Sequence, residues 1–304
     1  MSVKWKERIR ANDWSAYLFI FPAISVIALF ILYPAIWSLI TSFKSVNPIQ
    51  MRTSSLFAIP GAWVGLDNYR SIFQSELFLK SLFNTAYFAI IFVPLTMAGS
   101  LLLAILLDSG VRGTRFMRTV FFLPYVISII SASLIFMLLF SGERGLVNAL
   151  LRLIGLSGPN WLGHTLWAMP VIALMSCWRQ TGYFMIIYLA GLQVIPTELY
   201  EAADIDGAGR WQQFVHLTWP LLGRINLVVF ILLLVNSLRV FQEVFVMTGG
   251  GPADSTITVP FLIYNEAFRF FRFGRAAAMS YVLFVLVVAV NIVQTSLASR
   301  KLDY

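Results

Sequence analysis

Long runs without charge constrain this chain more than any other feature. Ser15–Phe43, Ser81–Leu107 and Thr119–Gly142 contain no Asp, Glu, Lys or Arg, and Leu153–Thr197 contains a single charge, Arg179. About 20 apolar helical residues cross the hydrocarbon core of a bilayer, where charges are penalised and backbone groups must be satisfied within the segment. The runs therefore predict helical spans. The first three are the runs themselves; the fourth lies at roughly Leu166–Ala190 within the next one. A fifth, roughly Ile225–Val246, is interrupted by Arg239 and Glu243, and a sixth covers Ala276–Ser299. The expected fold class is an all-α integral membrane protein with six transmembrane helices. Composition agrees, since 59% hydrophobic and 12% charged residues give more apolar surface than one soluble core hides.

Pro22, Pro34, Pro94, Pro124 and Pro170 fall in or at the ends of these spans and are kink candidates, because neighbouring helices can satisfy the carbonyls that proline frees. The first run is 29 residues long, too long for the apolar core of a cleavable signal, so it is expected to stay as an anchor. Residues 1–14 then form a cytoplasmic segment and 15–304 the membrane domain. Orientation rests on short flanks: Lys4, Lys6, Arg8 and Arg10 precede the first span and Lys44 follows it, while Arg112, Arg115 and Arg118 crowd the connection after the second. Both termini are expected in the cytoplasm.

Several chemistries find no residues to carry them. The formal charge of +8 is scattered along the chain without the clustered basic face that nucleic acid requires. Cys177 is the one cysteine and cannot form an internal disulfide, and His164 and His216 lie on opposite sides in this topology, which rules out a metal pair. None of the five lysines follows a glycine, so no phosphate loop for ATP is present. An intramembrane enzyme would need paired Asp, Ser with Lys, or a His–Glu metal motif in the spans, and an ion-coupled carrier would need more intramembrane carboxylates than Glu243.

One stretch runs against the apolar background. Glu198, Glu201, Asp204 and Asp206 crowd into nine residues, although the whole chain has 14 acidic side chains. Pro196 and Thr197 start a helix, with early carboxylates at the positive end of its dipole. Gly207 and Gly209 permit a sharp turn, and a second short helix, Trp211–Thr218, is expected to stop at Pro220. The carboxylates alone fit a solvated acidic loop; the small Ala202 and Ala203 beside them fit a surface that another protein approaches closely.

This stretch resembles the cytoplasmic loop of carbohydrate-type permease subunits of bacterial ATP-binding-cassette importers, whose pattern is E-A-A-x3-G-x9-I-x-L-P. Glu201-Ala202-Ala203, Gly207, Leu217 and Pro220 stand at its spacings, with Leu217 for Ile and Trp219 for Leu. VGLDNY (Val64–Tyr69), SLFNTAYF (Ser81–Phe88), FFLPY (Phe121–Tyr125) and MTGGGPADST (Met247–Thr256) are similar to stretches of the same family in the same order. The resemblance implies a type I importer transmembrane domain, with a core at about 80–300 and a coupling loop at 197–222. It implies that Glu201, Ala202, Ala203, Asp206 and Gly207 form a coupling helix that docks on a separate ATPase subunit. It implies as partners two such ATPase subunits, which carry ATP and Mg while this chain binds no cofactor, together with a second homologous permease, an extracytoplasmic solute-binding protein and a sugar substrate. Transport would proceed by alternating access.

Polar residues inside spans are the candidates for the substrate path. Gln180 and Tyr183 are three apart in the fourth span; Asn236, Ser237, Val240 and Glu243 follow a three-to-four spacing in the fifth, which predicts one helix face. Aromatic rings with amides and hydroxyls suit a sugar, and the resemblance to the larger maltose permease subunit favours Tyr183, Asn236 and Ser237. The alternative for each is ordinary hydrogen bonding between helices. Arg179 and Arg239 pair either with Glu243 or with a neighbouring subunit.

Overall fold

The computed structural model describes residues 17–46, 60–108 and 113–299. The N-terminal segment, Arg112 and the last five residues lie outside them. Among the described residues the chain is mostly helical, joined by turns and loops, and its one sheet is a two-residue ladder, β1 (Lys44–Ser45) against β2 (Ala62–Trp63), antiparallel. Its helices are α1 (Tyr17–Ser42), α2 (Asp67–Phe73), α3 (Glu76–Asp108), α4 (Thr114–Val126), α5 (Ile129–Leu139), α6 (Leu146–Leu153), α7 (Ala168–Leu192), α8 (Thr197–Ile205), α9 (Arg210–Leu221), α10 (Gly223–Leu238), α11 (Gln242–Met247), α12 (Val259–Tyr264) and α13 (Phe273–Ser299).

Three helices, α1, α3 and α13 (over Phe273–Ile292), are long and apolar enough to cross a membrane alone; α4 with α5, α7 with α8, and α9 with α10 qualify as bent pairs. That makes up to six spans, as expected, but not six straight rods. The third is broken by 94° between α4 and α5. Pro124 lies inside α4 and removes a backbone donor, the helix ends two residues later, and Ile127 is extended at ψ 136°. Arg115 and Arg118, read as loop cations, stand on α4 itself. The fifth span is also broken. The Asn236 and Ser237 carbonyls accept from the Arg239 N–H and end α10, and α11 restarts at Gln242.

Proline acts differently where the helix widens ahead of it. Ala28–Leu32 in α1 and Phe214–Thr218 in α9 are π-helical, and a proline follows each by two residues, Pro34 and Pro220. In each the next N–H reaches back five residues, Tyr33 to Ala28 and Trp219 to Phe214. The extra residue in the turn relieves the clash between the proline ring and the preceding carbonyls. Pro220 therefore does not stop the second short helix at Thr218; α9 runs on to Leu221.

The described residues fall into two units. One holds those up to Gln74 together with Asn265–Val282. Within it Asn68 donates to the Ser42 and Lys44 carbonyls (2.8 and 3.0 Å), and the Tyr69 hydroxyl bonds that of Ser42 at 2.7 Å. Glu266 is buried beside Arg275 (3.5 Å) and Arg272 (3.9 Å). The second unit, Ser75–Tyr264 with the last helix from Leu283, is built on α3 against α7. Phe88, Phe92, Met169, Ile172, Met175, Phe184 and Met185 are buried there. Polar links cross the pair, from Thr96 Oγ1 to Cys177 Sγ (3.2 Å) and from Ser100 Oγ to the Thr181 carbonyl (2.9 Å). α4 and α10 pack on the same two helices.

Candidate functional site

The acidic stretch is a helix, a glycine turn and a helix. α8 starts from Pro196 and closes at its C-terminus through the N–H groups of Asp206, Gly207 and Ala208, which donate to the carbonyls of Ala202, Asp204 and Ala203. Gly207 has φ +76°, the left-handed region that favours glycine, while a Cβ there would meet nothing within 4 Å. Its requirement is conformational, not spatial. Gln213 clamps the two helices, donating to Asp204 Oδ1 at 2.6 Å and to the Ala208 carbonyl at 3.1 Å. The Gly209 N–H donates to Gln212 Oε1 at 2.8 Å, and the Tyr200 and Thr218 hydroxyls meet at 3.0 Å.

One acid, Asp204, is thus engaged inside the loop, while Glu198, Glu201 and Asp206 are exposed. Ala202, Ala203, Asp206 and Gly207 line an open concavity of about 520 Å³, with His216 and Leu217 on its other wall. Glu201 is exposed and outside that lining. Sequence reading missed Ile205 and Trp211, apolar side chains 88% and 74% exposed at the tip of the motif. Both stand beside the glycine turn, and that place was the available signal.

Of the polar candidates in the spans, Gln180 and Asn236 are brought into contact, and one expectation is corrected. Asn236 Nδ2 on α10 donates to Gln180 Oε1 on α7 at 3.2 Å, across helices. Glu243 belongs to α11, beyond the break at Arg239–Phe241, so the residues from Asn236 to Glu243 do not form one continuous helix face. Thr258 fills part of that break by donating to the Val240 carbonyl at 2.9 Å. The Ser237 side chain is fully buried and its hydroxyl donates to the Leu234 carbonyl at 2.7 Å. Glu243 is buried. Neither Arg179 nor Arg239 makes an ion pair within 4.0 Å among the described residues.

Tyr183 is half-buried and stacks on Tyr125 of α4, ring centroids 4.6 Å apart and 18° from parallel; Phe184 closes on it edge-on at 5.1 Å. Arg179 lies over the other ring of this pair, 5.5 Å from the Tyr125 centroid, and Nη1 donates to the Tyr125 carbonyl at 3.3 Å. Gly182 permits the arrangement, since a Cβ there would collide with the Phe121 carbonyl oxygen of α4. Tyr125 was visible in the sequence as the end of FFLPY, but nothing in its spacing assigned it to Tyr183. Elsewhere in the unit, the loop between α11 and α12 is tied to the start of α3. Lys80 Nζ donates to the Ala253 carbonyl at 2.7 Å and Asn84 Nδ2 to those of Asp254 and Ile257 at 2.9 Å each, so α3 holds Gly249–Thr256 in place.

The arrangement contains an exposed acidic helix–turn–helix and a mixed polar and aromatic cluster between helices. Known proteins share both the sequence and the fold. The family model described as binding-protein-dependent transport system inner membrane component matches residues 96–303. The chain is 37% identical over 298 residues to the lactose transport system permease protein LacF of Rhizobium radiobacter, covering 96% of each. It is 34% identical over 296 residues to the sn-glycerol-3-phosphate transport system permease protein UgpA of Yersinia pseudotuberculosis, covering 96% of this chain and 97% of the relative. A chain from a bacterial ABC transporter involved in the import of the acidic polysaccharide alginate matches in fold, with a TM-score of 0.83 at 24% identity over 99% of this chain and 100% of the other.

Proposed function

The chain belongs to the binding-protein-dependent transport system inner membrane component family, and from that premise we propose that it moves a sugar or sugar derivative through the cytoplasmic membrane of a bacterium. It is a membrane-spanning permease subunit of an ATP-binding-cassette importer. The substrate class we infer, oligosaccharide or glycerol-phosphate, is supported by relatives named for lactose and for sn-glycerol-3-phosphate transport. Both termini would be cytoplasmic, which puts residues 197–222 on the side where ATP is hydrolysed.

The carrying observation is the exposed helix–turn–helix with its alanine-walled concavity and left-handed Gly207. In this reading Glu201, Ala202, Ala203, Asp206 and Gly207 dock on one of two ATPase subunits, which hold ATP and Mg. Ala202 and Ala203 allow a partner's backbone close, and Glu201 pairs with one of its cations. A second permease completes the pathway across the importer core at about 80–300, and a loaded solute-binding protein delivers substrate from the other side. ATP and that protein stabilise one of two permease states by differential contacts. Gln180, Tyr183, Asn236, Ser237 and Glu243 line or support the substrate path. Tyr183 and Tyr125 offer aromatic faces, Asn236 an amide, while Ser237 and Glu243 sit deeper and shape the wall.

The test is ATP hydrolysis stimulated by loaded binding protein in reconstituted complexes. Glu201→Ala leaves a partner cation unmatched at a desolvated surface, a loss of roughly 2–5 kcal/mol, whereas an exposed carboxylate contributes about 0–1 kcal/mol. Loss of stimulated hydrolysis and uptake in an inserted, stable variant is expected; full stimulation with normal uptake overturns the docking role.

A further inference from the structure

A second concavity, of about 540 Å³, lies within the Ser75–Tyr264 unit and plays no part in the function just described. One wall is a single stripe of α3 from Pro94 through Ala98 to Ile105; the others are Tyr188 of α7 and Phe214 and Trp219 of α9. The spacing of the α3 residues at three and four keeps them on one helix face. The polar side-chain atoms of the wall are the Tyr188 hydroxyl, buried and without a hydrogen-bond partner, and the Trp219 indole nitrogen. A sugar or a peptide backbone would find almost nothing there to bond.

We propose that this slot holds one acyl chain of a bilayer phospholipid. Length supports the assignment. From Pro94 to Ile105 the helix rises about 16 Å at 1.5 Å per residue, close to half of a hydrocarbon core of about 30 Å, which is the reach of one leaflet's acyl chain. Position supports it too. The stripe occupies the half of α3 nearer Asp108, and the slot is closed by α9, the second helix of the acidic motif, so it lies in the leaflet on that motif's side of the membrane. Trp219, 46% exposed, stands where that helix meets the span α10, the depth at which tryptophan prefers the boundary between headgroup and hydrocarbon. Pro94, Ala98 and Leu102 are exposed along the slot and give lateral access from the bilayer. The chain thus lies between the spans and the motif assigned to ATPase docking.

The experiment uses the complete transporter in nanodiscs of phosphatidylcholine that carries a photoreactive diazirine on its acyl chain, with adducts mapped by peptide mass spectrometry. Ala98→Trp fills the slot from its exposed side, and Ile90→Trp, 70% exposed on the same helix but outside the slot, is the control. Wild-type protein and Ile90→Trp should give adducts within 94–105 and 214–219, and Ala98→Trp should lose them several-fold while adducts on other lipid-facing helices persist. No wild-type adduct in these segments, or equal labelling in Ala98→Trp, overturns the proposal. A photoreactive residue placed at position 98 that joins another protein subunit instead of lipid also overturns it, by showing that protein covers the slot.

Discussion

The acidic motif at 197–222 and the polar cluster around Gln180 use polar residues in opposite ways. In the motif Glu198, Glu201 and Asp206 face outward with Ile205 and Trp211 beside them, and internal bonds such as Gln213–Asp204 only hold the shape. In the cluster several groups are engaged already: Gln180 with Asn236, Ser237 with its own helix, and Arg179 Nη1 with the Tyr125 carbonyl. An exposed polar group costs nothing while it waits for a partner; a buried one must be satisfied within the fold. The proposed docking role therefore rests on groups left open, and the proposed substrate path on groups already bonded.

The sharpest way to break this contrast is to disturb what brings the cluster together. Gly182→Val places a side chain against the Phe121 carbonyl and forces α4 from α7; overpacking of this kind costs about 1–3 kcal/mol or more. The variant should show a lowered melting transition and lost uptake, and unchanged melting would mean that the two helices do not approach so closely. Gly207 gives the reverse case, because space is free and only the backbone angle is demanding. Gly207→Val should cost about 1–2 kcal/mol locally and uncouple stimulated ATP hydrolysis, while Gly207→Asn, which tolerates the left-handed region, should retain most of it. Equal loss in both would make the missing side chain, not the angle, the requirement.

Smaller effects sharpen the comparison. Tyr183→Ala removes an aromatic pair worth about 0.5–1.5 kcal/mol and should lower uptake with assembly and basal ATP hydrolysis intact. Wild-type uptake kinetics would make the Tyr125–Tyr183 stack purely structural. Smallest of all, Asp204→Ala deletes one clamp bond, worth about 0.5–1.5 kcal/mol at most in an exposed setting, and should loosen the motif only slightly, read as a modest rise in the ATPase concentration needed for assembly. A large effect would place Asp204 at the docking surface itself.

The spans were legible because a charge in hydrocarbon is costly, so Ser81–Leu107 and its counterparts stand out without any knowledge of packing. Their breaks were not. Proline marks a place where a helix can bend, yet Pro124 precedes a 94° break while Pro34 and Pro220 are absorbed by π turns. The outcome depends on whether the chain inserts a residue into the turn, which a proline alone does not announce. The helix–turn–helix at 197–222 was readable down to the left-handed Gly207, since a glycine-dependent turn is a local property. Pairings between distant residues, Tyr125 with Tyr183 or Asn84 with the 249–256 loop, were carried by separate stretches whose contact only the fold supplies.

The α3–α7 core also sets a timetable for biosynthesis. Thr96 finds Cys177, and Ser100 finds the Thr181 carbonyl, across 81 residues of chain. At roughly 5–20 residues per second a ribosome needs about 4–16 s to make that intervening length. Throughout that interval α3 resides at the insertion machinery or in lipid with Thr96 and Ser100 lacking the α7 groups they later meet, and α4 and α5 emerge before α7 exists to receive them. A nascent chain halted within this window would carry the first half of its core and none of the surface that locks it.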